Sequence, residues 1–105
     1  MDKVLERITE LIQTYESGEW LSPDKLRIIL RELSANYYYL TKVNIESYNN
    51  WNNVVYNRGK DSVSGAKVKA DKEVPELRIT RKILEATDHV IWSVRSELSI
   101  LKKEN

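Results

Sequence analysis

Cysteine is absent from the chain, which removes a disulfide framework, a thiolate metal site and a cysteine nucleophile at one stroke. Histidine is nearly absent: His89 stands alone, so an all-protein zinc site would rest mainly on carboxylates, and no metal or other cofactor is expected. No apolar run is long enough to span a membrane. The opening residues Met1 to Arg7 carry charges at helical spacing in place of the apolar core of a signal peptide, so the reading is a soluble, cytoplasmic chain with no membrane partner. Glycine and proline are scarce, and neither occurs between Asp24 and Arg58, which leaves that stretch without a helix breaker.

The inventory for catalysis is missing as well. There is no Ser-His-Asp ordering, no glycine-rich phosphate loop and no HExxH motif. Asp88 and His89 are adjacent, but neighbours on a helix point about 100° apart and do not face each other. The expectation is a protein that binds and does not catalyse.

What the chain has in quantity is helical periodicity. Leu26, Leu30, Leu33, Tyr37 and Leu40 continue through Asn44 and Ser47 to Trp51 and Val54 in alternating steps of four and three, which puts them on one stripe of a single long helix. Leu84, Thr87, Ile91, Val94, Leu98 and Leu101 form a second such register. Val4, Leu5, Ile8, Leu11, Ile12 and Tyr15 give a shorter amphipathic stretch that Ser17-Gly18 stops. Ser22-Pro23-Asp24 combines a cap, a proline suited to the first turn and an acid at the positive end of the dipole. These signals predict an all-α single domain over 1–105, with helices at about 2–16, 23–57 and 75–103 and a mobile polar loop at about 58–74. Its form is a short N-terminal helix on an extended hairpin of two long helices with coiled-coil-like packing. An elongated hairpin of this size buries little surface per residue, which predicts a homo-oligomer.

The net charge of +1 conceals an asymmetry: Met1 to Asp24 carries −4 and the remainder +5, with +2 between Asn57 and Val74. Arg58, Lys60, Lys67, Lys69 and Lys72 make that segment a modest basic loop. Just before it lie Tyr48, Trp51 and Tyr56 among asparagines. Aromatic platforms beside basic residues hold single-stranded nucleic acid by stacking and phosphate contacts. The same residues also suit a plainer role, with Trp51 a core side chain and the loop a solvated linker. Tyr37, Tyr38 and Tyr39 read as packing on and beside the stripe.

The order of these features resembles a family. An acid-rich short helix, a Ser22-Pro23-Asp24-Lys25-Leu26 start, a long helix leaving through Arg58-Gly59, a polar loop, then Ala70-Asp71-Lys72-Glu73-Val74 leading into a terminal helix with Trp92 is similar to the UvsY-like recombination mediators of tailed bacteriophages. The resemblance covers nearly the whole chain through short shared strings. It implies a ring-shaped homo-oligomer in the cytoplasm of the host bacterium, assembled through the C-terminal helix, here Leu84, Ile91, Val94, Leu98 and Leu101. It also implies single-stranded DNA binding and the loading of a phage recombinase onto strands coated by single-strand-binding protein. One departure stands out: the family's basic residues near the end of the long helix align with Asn49 and Trp51 here. DNA binding would then lean on Arg58, Lys60, Lys67, Lys69 and Lys72, with Trp51, Tyr48 and Tyr56 as stacking surfaces. The competing expectation is a small protein-interaction module, such as a phage-encoded inhibitor or adaptor of a host protein, with no DNA affinity.

Overall fold

A computed structural model describes residues 2–104, without the side chains of 103 and 104. Four helices follow in order: α1 (Lys3–Glu16), α2 (Pro23–Tyr56), α3 (Val63–Glu73) and α4 (Glu76–Glu104). Asp2 caps α1, its carboxylate accepting from the Val4 N–H at 2.7 Å. Ser22 caps α2 at the Lys25 N–H with Pro23 in the first turn, and Gly18 makes the preceding turn with φ of +80°, a conformation that suits glycine. None of the described helices is long and apolar enough to cross a membrane.

At 34 residues, α2 is about 50 Å long at 1.5 Å per residue and sets the 65 × 23 × 21 Å dimensions of the molecule. α3 and α4 together run back along it. Asn44 Nδ2 donates to Thr80 Oγ1 at 3.0 Å and Trp51 Nε1 to Asp71 Oδ1 at 2.9 Å, so the partner number falls as the α2 number rises, which is an antiparallel seam. The returning arm is broken once. Val74, held out of the helical region ahead of Pro75 at φ −127° and ψ 67°, ends α3 before α4 begins.

The packing changes along the rod. At the base α1 completes a three-helix bundle whose core joins Leu5, Ile8, Leu11 and Ile12 to Leu26, Ile29, Leu33 and Leu40 and to Val90 and Val94. Each such side chain contributes roughly 1.5–3 kcal/mol by leaving water. Beyond Leu40 the seam turns small and polar: Ser47 and Thr80 are buried there, as Thr87 is near the level of Tyr37, and the three hydroxyls bond to carbonyls of their own helices. Toward the tip, Ala66, Ala70, Val74 and Leu77 are buried where α3 lies on the end of α2.

Two expectations are corrected. The segment 58–74 is not a loop throughout: α3 occupies Val63–Glu73, and only the short turn from Asn57 to Ser62 connects it to α2. Ser62 caps α3 by accepting from the Gly65 N–H at 3.1 Å, and Ala66, Ala70 and Val74, spaced by four, give it a thin apolar edge. The face assigned to assembly is used largely inside the protomer. Val94 is fully buried, and Leu84, Ile91, Leu98 and Leu101 are half-buried against the same core.

α1 is fastened to the hairpin by polar contacts on one flank. Arg7 pairs with Glu32 at 2.8 Å, the Tyr39 hydroxyl donates to Asp2, and the Tyr15 hydroxyl donates to Glu97 at 2.9 Å. Burial, then the Glu97 carboxylate, raises the Tyr15 pKa above its ordinary 10.0, and the Asp2 hydrogen bond raises that of Tyr39.

Leu33→Ala is expected to lose about 2–5 kcal/mol in urea unfolding, because it opens a cavity in the bundle core. Ala70→Arg should speed amide exchange across 63–73 while leaving the bundle's melting nearly unchanged, since it forces a charge into the α2–α3 contact alone. A raised tyrosine pKa means that the folded state favours the neutral phenol. Stability from Tyr15 and Tyr39 is therefore present below about pH 10 and lost as pH climbs through their folded values. Thermal melts between pH 8 and pH 11 should show that decline, and a Tyr15→Phe/Tyr39→Phe chain should show less of it.

Candidate binding surface

The side chains one residue before and one residue after the seam lie about 100° to either side of it. On α2, Glu32 and Tyr39 precede seam residues Leu33 and Leu40, and both bond to α1. On α4, Glu97 precedes seam residue Leu98 and bonds to Tyr15 of α1. α1 therefore covers the preceding flank of both helices. Because the arms are antiparallel, the residues that follow the seam share the other flank, and that flank is open.

Along α2 the open flank reads Arg31, Ser34, Tyr38, Thr41, Ile45, Tyr48, Asn52 and Val55, which repeats the four-three spacing of the seam itself. Tyr38 is 81% exposed, and Ile45 and Tyr48 are about half exposed. From α4 the same flank receives Arg78, Arg81, Glu85, Asp88, Trp92 and Arg95, all exposed, with Trp92 at 69%. A groove lined by Ser34, Tyr37, Asp88, Ile91 and Arg95 runs between the helices on this side. The Asp88 carboxylate beside the Tyr37 hydroxyl raises the Tyr37 pKa, with burial adding to it.

Toward the tip, Tyr48 and Trp51 stack with ring centroids 6.4 Å apart and planes 15° from parallel. The Trp51 indole is anchored by its bond to Asp71, whose other oxygen lies 3.6 Å from Arg78 Nη2. Arg31, Arg81, Arg95 and Lys67 make no ion pair among the described residues. Arg31, Lys67, Arg78, Arg81 and Arg95 stand on this flank against Asp71, Glu85 and Asp88, five cations to three carboxylates, so its net charge is positive.

The eight residues singled out for nucleic-acid binding do not form one cluster. Tyr48, Trp51 and Lys67, which follows seam residue Ala66, share the open flank. Tyr56, Arg58 and Lys60 sit exposed at the tip. Lys69 lies on the opposite flank of α3, 3.9 Å from Glu73, and Lys72 points away from the buried Ala66 and Ala70 edge. Tyr38, Trp92, Arg78, Arg81 and Arg95 belong to the surface and were missed by reading the sequence. A usable signal was present, since these residues follow each seam position by one, but choosing between the two flanks requires knowing where α1 docks. Comparison with models of protein families, with curated proteins and with solved structures finds no match to this chain.

Proposed function

We propose that this chain binds single-stranded DNA along the open flank of its hairpin and acts as a recombination mediator. The observation that carries the reading is the row of aromatics, Trp92, Tyr38 and the Tyr48–Trp51 stack, interleaved with Arg31, Arg81 and Arg95, which make no ion pair among the described residues. Bases stack on any aromatic face whatever their identity, and arginines follow the phosphates, so such a row tracks a flexible strand without reading its sequence. From Arg31 to Val55 it extends about 36 Å at 1.5 Å per residue. The basic residues absent at Asn49 and Trp51 are replaced in this reading by arginines of α4, which face the same flank from the neighbouring helix.

The rest of the reading comes from the UvsY-like resemblance. The chain works as a homo-oligomer, a ring in that family, in the cytoplasm of an infected bacterium, where it helps a phage recombinase displace single-strand-binding protein. Several copies on one strand supply the affinity that one modest basic flank lacks. It performs no chemistry of its own.

A second reading draws on the spacing of the flank. The four-three register from Ser34 to Val55 is also what a helix of another protein would need to lie against α2, as for a phage-encoded inhibitor or adaptor.

Fluorescence anisotropy with a labelled oligo-dT separates the two. Binding that weakens as salt rises is expected, with duplex of the same length bound less tightly. Arg81→Glu/Arg95→Glu should flatten the salt dependence by about 0.7 logarithmic units per lost phosphate contact. Tyr38→Ala should weaken binding by about 1–3 kcal/mol for a lost stacking platform. A folded chain that ignores oligo-dT at low salt would overturn the DNA reading in favour of the helical partner.

A further inference from the structure

The two ends of the rod differ in chemistry and match each other. At the base, between the α1–α2 turn and the last turns of α4, lies a cleft of about 510 Å³, within the roughly 300–1,000 Å³ of sites that take a ligand or a protruding side-chain cluster. Its walls are Trp20, Leu21, Ile100 and Leu101, and two carboxylates, Glu19 and Glu97, stand among them. Trp20 is 83% exposed and Ile100 57%, an apolar surface that the described residues leave uncovered. At the tip, beyond the end of the α2–α3 contact, Tyr56 is 85% exposed. Arg58 and Lys60 follow it in the turn, with Asp61 as the only acid among the exposed turn residues, and neither cation makes an ion pair among the described residues. Gly59, at φ of +63°, bends the turn between them.

We propose that the base cleft receives the tip of a second copy of this chain, with Tyr56 entering between Trp20 and Ile100 while Arg58 and Lys60 face Glu19 and Glu97. Charge selects this pairing over its alternatives. Two bases brought together would set Glu19 and Glu97 against their own counterparts, and two tips would set Arg58 and Lys60 against theirs. Base to tip is the combination in which unlike charges meet. Exposed tryptophan and tyrosine are also the side chains that dominate binding energy when they enter a pocket. The contact is heterologous, so it propagates from copy to copy until the rotation closes a ring or extends a filament. The 23 × 21 Å cross-section of the rod keeps each end contact below the roughly 800 Å² per partner of a stable interface. Assembly is therefore weak and concentration-dependent, and it places the open flanks of successive copies along a common track. The contact itself does not depend on what that flank binds.

Sedimentation velocity of the full chain, without nucleic acid, tests it. Average mass should rise with concentration and fall as salt is added. Arg58→Glu/Lys60→Glu at the tip and Trp20→Ala/Glu19→Gln at the base should each weaken self-association by about tenfold or more, with circular dichroism unchanged because all four positions are exposed. The decisive sample is an equimolar mixture of the two variants. Each retains the end that the other lacks, so the mixture should form a dimer and stop there. A wild-type chain that stays monomeric at every concentration overturns the proposal. So do variants that assemble like wild type, or a mixture that remains monomeric. Loss of DNA binding with this behaviour intact would overturn the function proposed above and leave the end contact standing.

Discussion

The antiparallel seam between α2 and the returning α3–α4 arm is the contact on which every other feature depends. A helix as long as α2 has little reason to stay straight and single in water, because isolated helices draw most of their stability from what their apolar stripe meets. Here the stripe from Leu26 to Val54 meets a stripe of the same period on the other arm. Leu33, Leu40, Val90 and Val94 are sealed from solvent at the base, while Ser47, Thr80 and Thr87 fill the middle with small hydroxyl-bearing side chains. The polar middle adds little burial but fixes register. Asn44 donates to Thr80 Oγ1 only at one offset of the arms, and sliding by a turn would strip the partly buried Asn44 amide of that partner while Thr80 kept its bond to the Glu76 carbonyl.

Register in turn decides the surface. Because both arms present the residues that follow their seam positions to the same side, the choice of where α1 docks determines which set of side chains remains free. α1 takes the flank carrying Glu32, Tyr39 and Glu97 and leaves the flank carrying Tyr38, Trp92, Arg81 and Arg95. A modest net charge is thereby divided into an acid-rich side, covered by the acid-rich helix, and an open side whose unpaired charge is basic. The overall value of +1 conveys none of this, which is why near-neutral composition is weak evidence against a polyanion partner.

Most of the architecture was legible in the sequence, because α1, α2 and α4 each carry large apolar residues at helical spacing and clear end signals. Ser22-Pro23-Asp24 marks the start of α2 to the residue. α3 was not legible. Its buried edge consists of Ala66 and Ala70, residues too small to stand out against Lys67, Lys69 and Lys72, and its helical state is secured by packing on α2 and by the Ser62 cap. The surface was legible in part. Tyr48, Trp51 and Tyr56 were grouped as aromatic platforms, of which the first two stack on each other and Tyr56 stands apart at the tip, but α4 was read as a face for other copies, which hid its arginines. A stripe on a helix announces that something packs there; whether the neighbour belongs to the same chain is a long-range fact that periodicity alone does not contain.

The same reasoning explains why the arm is slender where it carries its aromatic stack. α1 reaches only as far as Tyr39, so beyond that level two helices must hold together with mostly small side chains between them, alanine, serine and threonine joined by Val74 and Leu77. Small side chains let the helices approach closely, and close approach brings Asp71 within reach of Trp51 and Arg78. The indole N–H is then occupied and its ring fixed against Tyr48, leaving an aromatic surface with little rotational freedom to lose when a partner arrives. A thicker arm with a third helix would add core but would have to cover one flank or the other. The chain stops its third helix short, and the exposed length of hairpin that results carries both the aromatic stack on its side and the basic turn at its end.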